Sequence, residues 1–268
     1  MRRRSLFSFS WAYYILLAVF LYLPIGLLIV FSFNDSPMVV FPLKGFTLKW
    51  YGALAQAREM LAALRNSLVL GIASSTVATF LGTMAALAAV RYRFPGRSVF
   101  MAVSAMPLVI PYVVLGVALL ILFSTLNIER SLVTVGIGHV IINIPYVMLI
   151  VGARLVGFPS NLEEASMDLG ATYWETLRRV TLPICMPAIV AAFLTSFTTS
   201  FDEFAVSFFL TGTEVTLPIY VYSQLRFPSR LPTVITLSAI VMTVSVTILL
   251  VAESLRRQGH AGVRRNVR

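Results

Sequence analysis

The chain is built on apolar runs of about twenty residues or more, separated by short segments rich in arginine. These runs show no 3.6- or 2-residue alternation of polar and apolar positions, so each reads as a helix surrounded by lipid rather than as one face of a soluble core. The expected class is an all-α transmembrane protein, a polytopic bundle forming one domain over residues 1–268. Composition agrees: 58% of residues are hydrophobic and 12% charged, whereas soluble domains carry about 25% charged residues.

Six spans are predicted, at about 11–33, 67–90, 99–124, 132–153, 185–210 and 232–252. The N-terminal "MRRRSLFSFSWAYYILLAVFLYLPIGLLIVFSF" has the basic flank of a signal peptide. Its apolar run reaches Phe33, however, with no small-residue cleavage site, and it is read as a retained first helix. Orientation follows from charge. With both termini cytoplasmic, 14 of the 21 basic residues fall inside, among them Arg2, Arg3, Arg4, Arg91, Arg154 and Arg256; seven, including Lys44, Arg130 and Arg230, fall outside. That bias predicts an N-in, C-in arrangement.

The net charge of +10 is therefore topological, and no nucleic-acid partner is expected. The single cysteine, Cys185, excludes an internal disulfide. The outer loop 34–66 ends in an amphipathic piece, "WYGALAQAREMLAALRNS", expected to lie at the membrane interface. The tail "RRQGHAGVRRNVR" is expected near the anionic inner leaflet. His139, among apolar residues of span four, reads as a hydrogen-bonded packing residue. No metal spacing, Walker A pattern or nucleophile–base constellation stands out, so no metal site, resident cofactor or catalytic residue is predicted.

Against this background the stretch "EEASMDLGATYWETLRRVTLP", residues 163–183, is anomalous, because it is polar and charged in an apolar chain. It lies in the cytoplasmic loop 154–184 between spans four and five. Asn161 or Ser160 can cap a helix whose first turn holds Glu163 and Glu164, where the helix dipole favours anions. Gly170 breaks or bends it, a second short helix runs through Trp174 and Leu177, and Pro183 stands where span five can begin. The expected product is a helix–glycine–helix knuckle projecting from the membrane.

The spacing of Glu164-Ala165-Ser166, Gly170 and Val180-x-Leu182-Pro183 resembles the EAA loop of binding-protein-dependent ABC importers, E-A-A, three residues, G, nine residues, I-x-L-P. Only Ser for Ala and Val for Ile depart. "NSLVLGIASSTVATFLGTMAALAAVRYRFPGR", "PYVMLIVGARL" and "TLPIYVYSQLRF" are similar to the permease subunits of polyamine importers, the PotC type in particular, so the resemblance extends along nearly the whole chain. It implies the type I (MetI-like) importer fold and a permease subunit that is not itself an enzyme. The implied partners are a second, PotB-like permease, an ATPase dimer carrying ATP and Mg, and an extracytoplasmic solute-binding protein. Glu163, Glu164, Ala165, Ser166, Asp168, Gly170, Leu182 and Pro183 would couple to the ATPase. Glu164 would pair with one of its basic groups, Gly170 would supply the bend, and Leu182 and Pro183 would seat span five.

For the solute path, span five offers "SFTTSFDEFAVSFF". An acid costs about 2.5–3.5 kcal/mol at the centre of a membrane helix, so Asp202 and Glu203 should face a cavity or the outer interface. Ser196, Thr198, Thr199, Ser200 and Ser207 are expected to make one side of that span polar. The alternative is that one acid pairs with Arg226 or Arg230. Polyamine permeases usually carry an acid after the second proline of span three, where this chain has Tyr112 in "PLVIPYVVLG"; tyrosine can hydrogen-bond but is uncharged at pH 7. Tyr112 departs from that pattern; the resemblance along the chain nevertheless implies a polyamine as the solute. The same framework serves opines, phosphonates and ferric ion, and an ion-coupled secondary transporter is the rival from another class.

Overall fold

The apolar runs become helices in the computed structural model, which describes residues 3–38, 40–157, 159 and 161–247. Arg2, Ser160, the end of the sixth predicted span and the basic tail lie outside the described residues. Among those described, all regular structure is helical apart from one antiparallel bridge pairing Asn34 with Phe46. The helices are α1 (Arg3–Phe31), α2 (Lys49–Gln56), α3 (Arg58–Arg91), α4 (Arg97–Val109), α5 (Tyr112–Thr125), α6 (Leu132–Val156) and α7 (Asn161–Asp168). There follow α8 (Tyr173–Thr176), a π-helical turn (Leu177–Thr181), α9 (Leu182–Asp202), α10 (Ala205–Leu210), α11 (Leu217–Gln224) and α12 (Pro228–Thr247). Packing divides the chain into two units: one holds the described residues up to Arg58 and from Val221 onward, the other is Glu59–Tyr220.

In the first unit the Trp11–Phe31 part of α1 is apolar and has no buried residue, as a lipid-facing helix should be. The loop after it is folded around the buried Asn34. Its Oδ1 accepts the Lys44 N–H at 3.1 Å and its carbonyl accepts the Trp50 indole N–H at 2.8 Å. The Ser32 and Tyr51 hydroxyls lie 2.9 Å apart. The amphipathic piece predicted for the interface is not one helix. It breaks at Ala57, whose ψ of 71° is not helical, so only its first part is α2 and the rest is the start of α3.

In the second unit α3 has 34 residues, about 51 Å at 1.5 Å per residue, well beyond a ~30 Å hydrocarbon core. It packs with α6 and α9 through Ala86, Leu87, Val147, Val151, Cys185 and Ala192. A second cluster joins α3, α5, α6 and α10 through Leu70, Leu119, Phe123, Val135, Val206 and Leu210. The first contact is as close as it is because α3 has no side chain at Gly82. A Cβ there would sit 2.6 Å from Val147 Cβ and 3.0 Å from the Ile144 carbonyl oxygen, neither of them the end of a flexible side chain. Gly82→Val is expected to overpack this contact at a cost of about 1–3 kcal/mol, read as a lower melting temperature of the detergent-solubilised protein.

Two predicted spans need correction. Span three is not one rod: α4 and α5 meet at a 109° bend. The cause is local, since Ile110 precedes Pro111 and adopts extended geometry (φ −76°, ψ 127°), the conformation to which a following proline pushes its neighbour. Span five begins earlier than predicted and ends earlier too. One continuous helical run covers Tyr173–Asp202, so Pro183 does not start a new helix. Proline has no N–H for the Arg179 carbonyl, and the preceding turn widens instead, with the Leu182 N–H donating to the Leu177 carbonyl five residues back. At the far end the run stops at Glu203 (φ −70°, ψ 121°) and restarts as α10.

Candidate functional site

The polar anomaly at 163–183 folds as a knuckle with defined ends. α7 terminates in a Schellman motif: the Ala171 N–H donates to the Ser166 carbonyl at 3.1 Å and the Gly170 N–H to the Met167 carbonyl at 2.9 Å. Gly170 holds φ +89°, the left-handed geometry that favours glycine at this position. Two residues later Thr172 opens α8 with a capping box. It accepts the Glu175 N–H at 3.3 Å, while Glu175 Oε2 accepts the Thr172 N–H at 3.0 Å.

The knuckle has two faces. Glu164, Ala165, Asp168 and Gly170 are exposed, and Leu169 is 90% exposed. Glu163 turns inward instead. Its Oε2 lies 3.1 Å from Arg91 Nε at the end of α3, and its Oε1 accepts the Thr181 hydroxyl at 2.7 Å. Ser166 is half-buried, its hydroxyl 3.0 Å from that of Thr176. Leu182 and Pro183 lie within the continuous helix behind the knuckle.

At the break between α9 and α10 the two acids part company. Glu203 is 6% exposed, and its carboxylate accepts the Val206 and Ser207 N–H groups at 2.8 and 2.9 Å, capping α10 from inside. His139 of α6, fully buried, brings Nε2 within 3.3 Å of Glu203 Oε2 and 3.0 Å of the Ser207 hydroxyl. Its Nδ1 lies 2.6 Å from the Ser200 hydroxyl, which in turn is 2.9 Å from that of Ser74 on α3. Asp202 is exposed. Tyr112 opens α5, its hydroxyl 3.0 Å from that of Tyr146.

The polar residues of span five therefore do not share one side. Ser196, Ser200, Glu203 and Ser207 recur every three or four positions and point into the unit, whereas Thr195, Thr198 and Asp202 form a second, exposed stripe. Thr195 and Thr198 are kept compatible with an apolar surface by donating to the carbonyls four residues back, both at 2.9 Å.

A transmembrane helical protein with such a knuckle between two of its spans has known counterparts. Residues 78–258 match the family described as binding-protein-dependent transport system inner membrane component. The chain belongs to this family. The permease is 34% identical to the spermidine/putrescine transport system permease protein PotC of Escherichia coli K12 over 244 residues, 91% of this chain and 92% of the relative. It is 36% identical to the putrescine transport system permease protein PotI of the same organism over 215 residues, 77% of this chain and 76% of the relative. Among solved structures it resembles a bacterial ABC transporter involved in the import of the acidic polysaccharide alginate. That likeness has a TM-score of 0.70 at 19% identity, covering 96% of this chain and 98% of the other. The MetNI methionine ABC transporter gives 0.61 at 18% identity, covering 75% and 95%. These structures establish the importer-permease fold, and the permease is an inner-membrane transport component.

Residues that sequence reasoning did not connect to either locus are Arg91, Thr176 and Thr181 at the knuckle, and Ser74 and Tyr146 near the helix break. Arg91 was legible only as a topological charge. Ser74 and Tyr146 are single hydroxyls in apolar helices, with partners on other elements. Thr176 and Thr181 lie within the polar stretch but find their partners, Ser166 and Glu163, across the turn at Gly170. Neither arrangement leaves a local pattern.

Proposed function

We propose that the permease carries a polyamine, spermidine or putrescine, through the membrane as one subunit of an ATP-driven importer. The observation that supports it best is the exposed face of the knuckle. Glu164, Ala165, Asp168 and the 90% exposed Leu169 form an acidic, apolar surface beside a left-handed glycine turn, suited to a cleft with basic groups in an ATPase subunit. Counting the bent pair α4–α5 as one crossing gives an even number of spans, consistent with both termini, and this loop, in the cytoplasm.

In this reading residues 1–268 act as one permease domain beside a second, different permease chain. Two ATPase subunits bind the knuckles and a solute-binding protein delivers the solute outside. ATP binding draws the knuckles together and opens the path outward; hydrolysis returns it inward. Leu182 and Pro183 carry the motion into α9. Asp202, with Thr195 and Thr198 on the same stripe, meets the cationic solute, and Tyr112 lines the path. Glu203, Ser200 and Ser207 shape the helix break behind it.

Tyr112 also favours a second reading, the same importer with another small solute, because it brings no charge where polyamine permeases usually have an acid. The test is direct: purify the partner binding protein, measure its affinity for spermidine and putrescine, and follow spermidine uptake in vesicles with and without ATP. Tight polyamine binding with ATP-dependent uptake is the expected result. Binding of an anion and no polyamine would remove the polyamine assignment. Uptake that persists without the ATPase would remove the ABC mechanism itself.

A further inference from the structure

Glu163 and Glu164 are adjacent and both acidic, yet the structure treats them oppositely. Glu164 is exposed, while the Glu163 side chain is 17% exposed and both of its carboxylate oxygens are engaged within the chain. Oε2 takes the Arg91 guanidinium at 3.1 Å, and Oε1 takes the Thr181 hydroxyl at 2.7 Å. Arg91 is the last residue of α3, and Thr181 is the last of the π-helical turn that leads into α9. Two further contacts close the same junction. Ser166 of α7 meets Thr176 of α8 hydroxyl to hydroxyl at 3.0 Å. Tyr92, next to Arg91, packs edge-on against Tyr173 with ring centroids 6.0 Å apart.

From this geometry we infer that Glu163 is a positioning residue: with Arg91 and Thr181 it fastens α7 to the ends of two spans at once, so that a displacement of the knuckle moves α3 and α9 together. The inference rests on the docking role proposed for the knuckle and reassigns Glu163 within it, from a contact with the ATPase to the joint that passes on its movement. The contact types suit that task. Arg91 in the last turn of α3 and Glu163 in the first turn of α7 each carry the charge that their helix dipole favours, and the charge-assisted hydrogen bond from Thr181 is directional enough to hold α7 in one orientation. The turn beside it is π-helical, a form that occurs mostly as single-turn bulges within α-helices, frequently at functional sites.

The test uses the assembled complex of this permease, its partner permease, the ATPase and the binding protein in proteoliposomes, with spermidine as probe. Glu163→Gln and Arg91→Gln are expected to keep the ATPase bound in pull-down and still hydrolysing ATP, while spermidine moved per ATP falls about fivefold or more, the lower end of ordinary allosteric coupling. The swap of Arg91→Glu with Glu163→Arg should restore part of that ratio. Thr181→Val removes one hydroxyl at nearly constant volume and should lower the ratio in the same direction, which keeps the inference testable if a charge variant fails to assemble.

An unchanged ratio in Glu163→Gln or Thr181→Val, or a swap that restores nothing, overturns the joint. So does release of the ATPase by Glu163→Gln, which would make Glu163 a docking contact. Glu164→Lys is the control that separates the two ideas. If that variant keeps the ATPase bound, the docking role of the knuckle falls, whereas the joint is judged by the transport ratio alone.

Discussion

Glu203→Ala is expected to destabilise the permease by about 1–3 kcal/mol or more, the usual consequence of leaving buried hydrogen-bonding groups without a partner. The substitution leaves the Val206 and Ser207 N–H groups without their acceptor at the first turn of α10, and leaves the His139 ring facing an empty site in the core. The detergent-solubilised protein should melt at lower temperature and be recovered in lower yield. Glu203→Gln with His139→Leu should recover part of the loss, because an amide oxygen can still cap α10 and the buried ring is no longer stranded. Asp202→Ala is the informative contrast. It should leave melting unchanged and raise the KM for a cationic solute. Equal melting in Glu203→Ala and Asp202→Ala would mean that the buried network does not hold the break.

The second large effect is expected at the knuckle. Gly170→Pro meets two obstacles: the ring locks φ near −65° where the chain holds +89°, and it removes the N–H that donates to the Met167 carbonyl. The end of α7 must then reorganise, and ATP-driven uptake should fall more than about tenfold, a coupling loss of at least ~1.4 kcal/mol. Gly170→Ala, which keeps the N–H and bears only the strain of a left-handed Cβ, about 1–2 kcal/mol, should fall less. Glu164→Lys should reach a similar loss of uptake by another route, with the ATPase released in pull-down. Wild-type uptake in both Gly170→Pro and Glu164→Lys would end the docking assignment.

Much of the membrane architecture was legible because the hydrophobic effect leaves a long, local trace. Runs such as 11–33 and 132–153 correspond to helices that are long and apolar enough to cross a bilayer. The knuckle was legible for a similar reason, since polar residues interrupt an apolar chain and Gly170 marks the turn. Continuity was harder to read. Pro111 stands at the bend of span three, but Pro24, Pro107, Pro145 and Pro187 lie inside helices of this same chain. A proline in an apolar run does not by itself say whether the helix bends by 109° or carries on. Pro183 misled in the opposite sense, because the helix absorbs its missing N–H in a π-helical turn and needs no new start.

The sequence by itself determined that this chain lives in a membrane, that its spans are helical, and that one charged, glycine-broken loop emerges between two of them. Apolar length and turn chemistry are local properties, and each run carries its own evidence. What only the tertiary structure decided is which member of each acidic pair is structural. In "EE" at 163–164, Arg91 and Thr181 claim the first; in "DE" at 202–203, His139 and the α10 backbone claim the second. Neighbouring carboxylates are chemically alike, and their division of labour is set by groups that packing brings within about 3 Å, the range over which hydrogen bonds and buried ion pairs act.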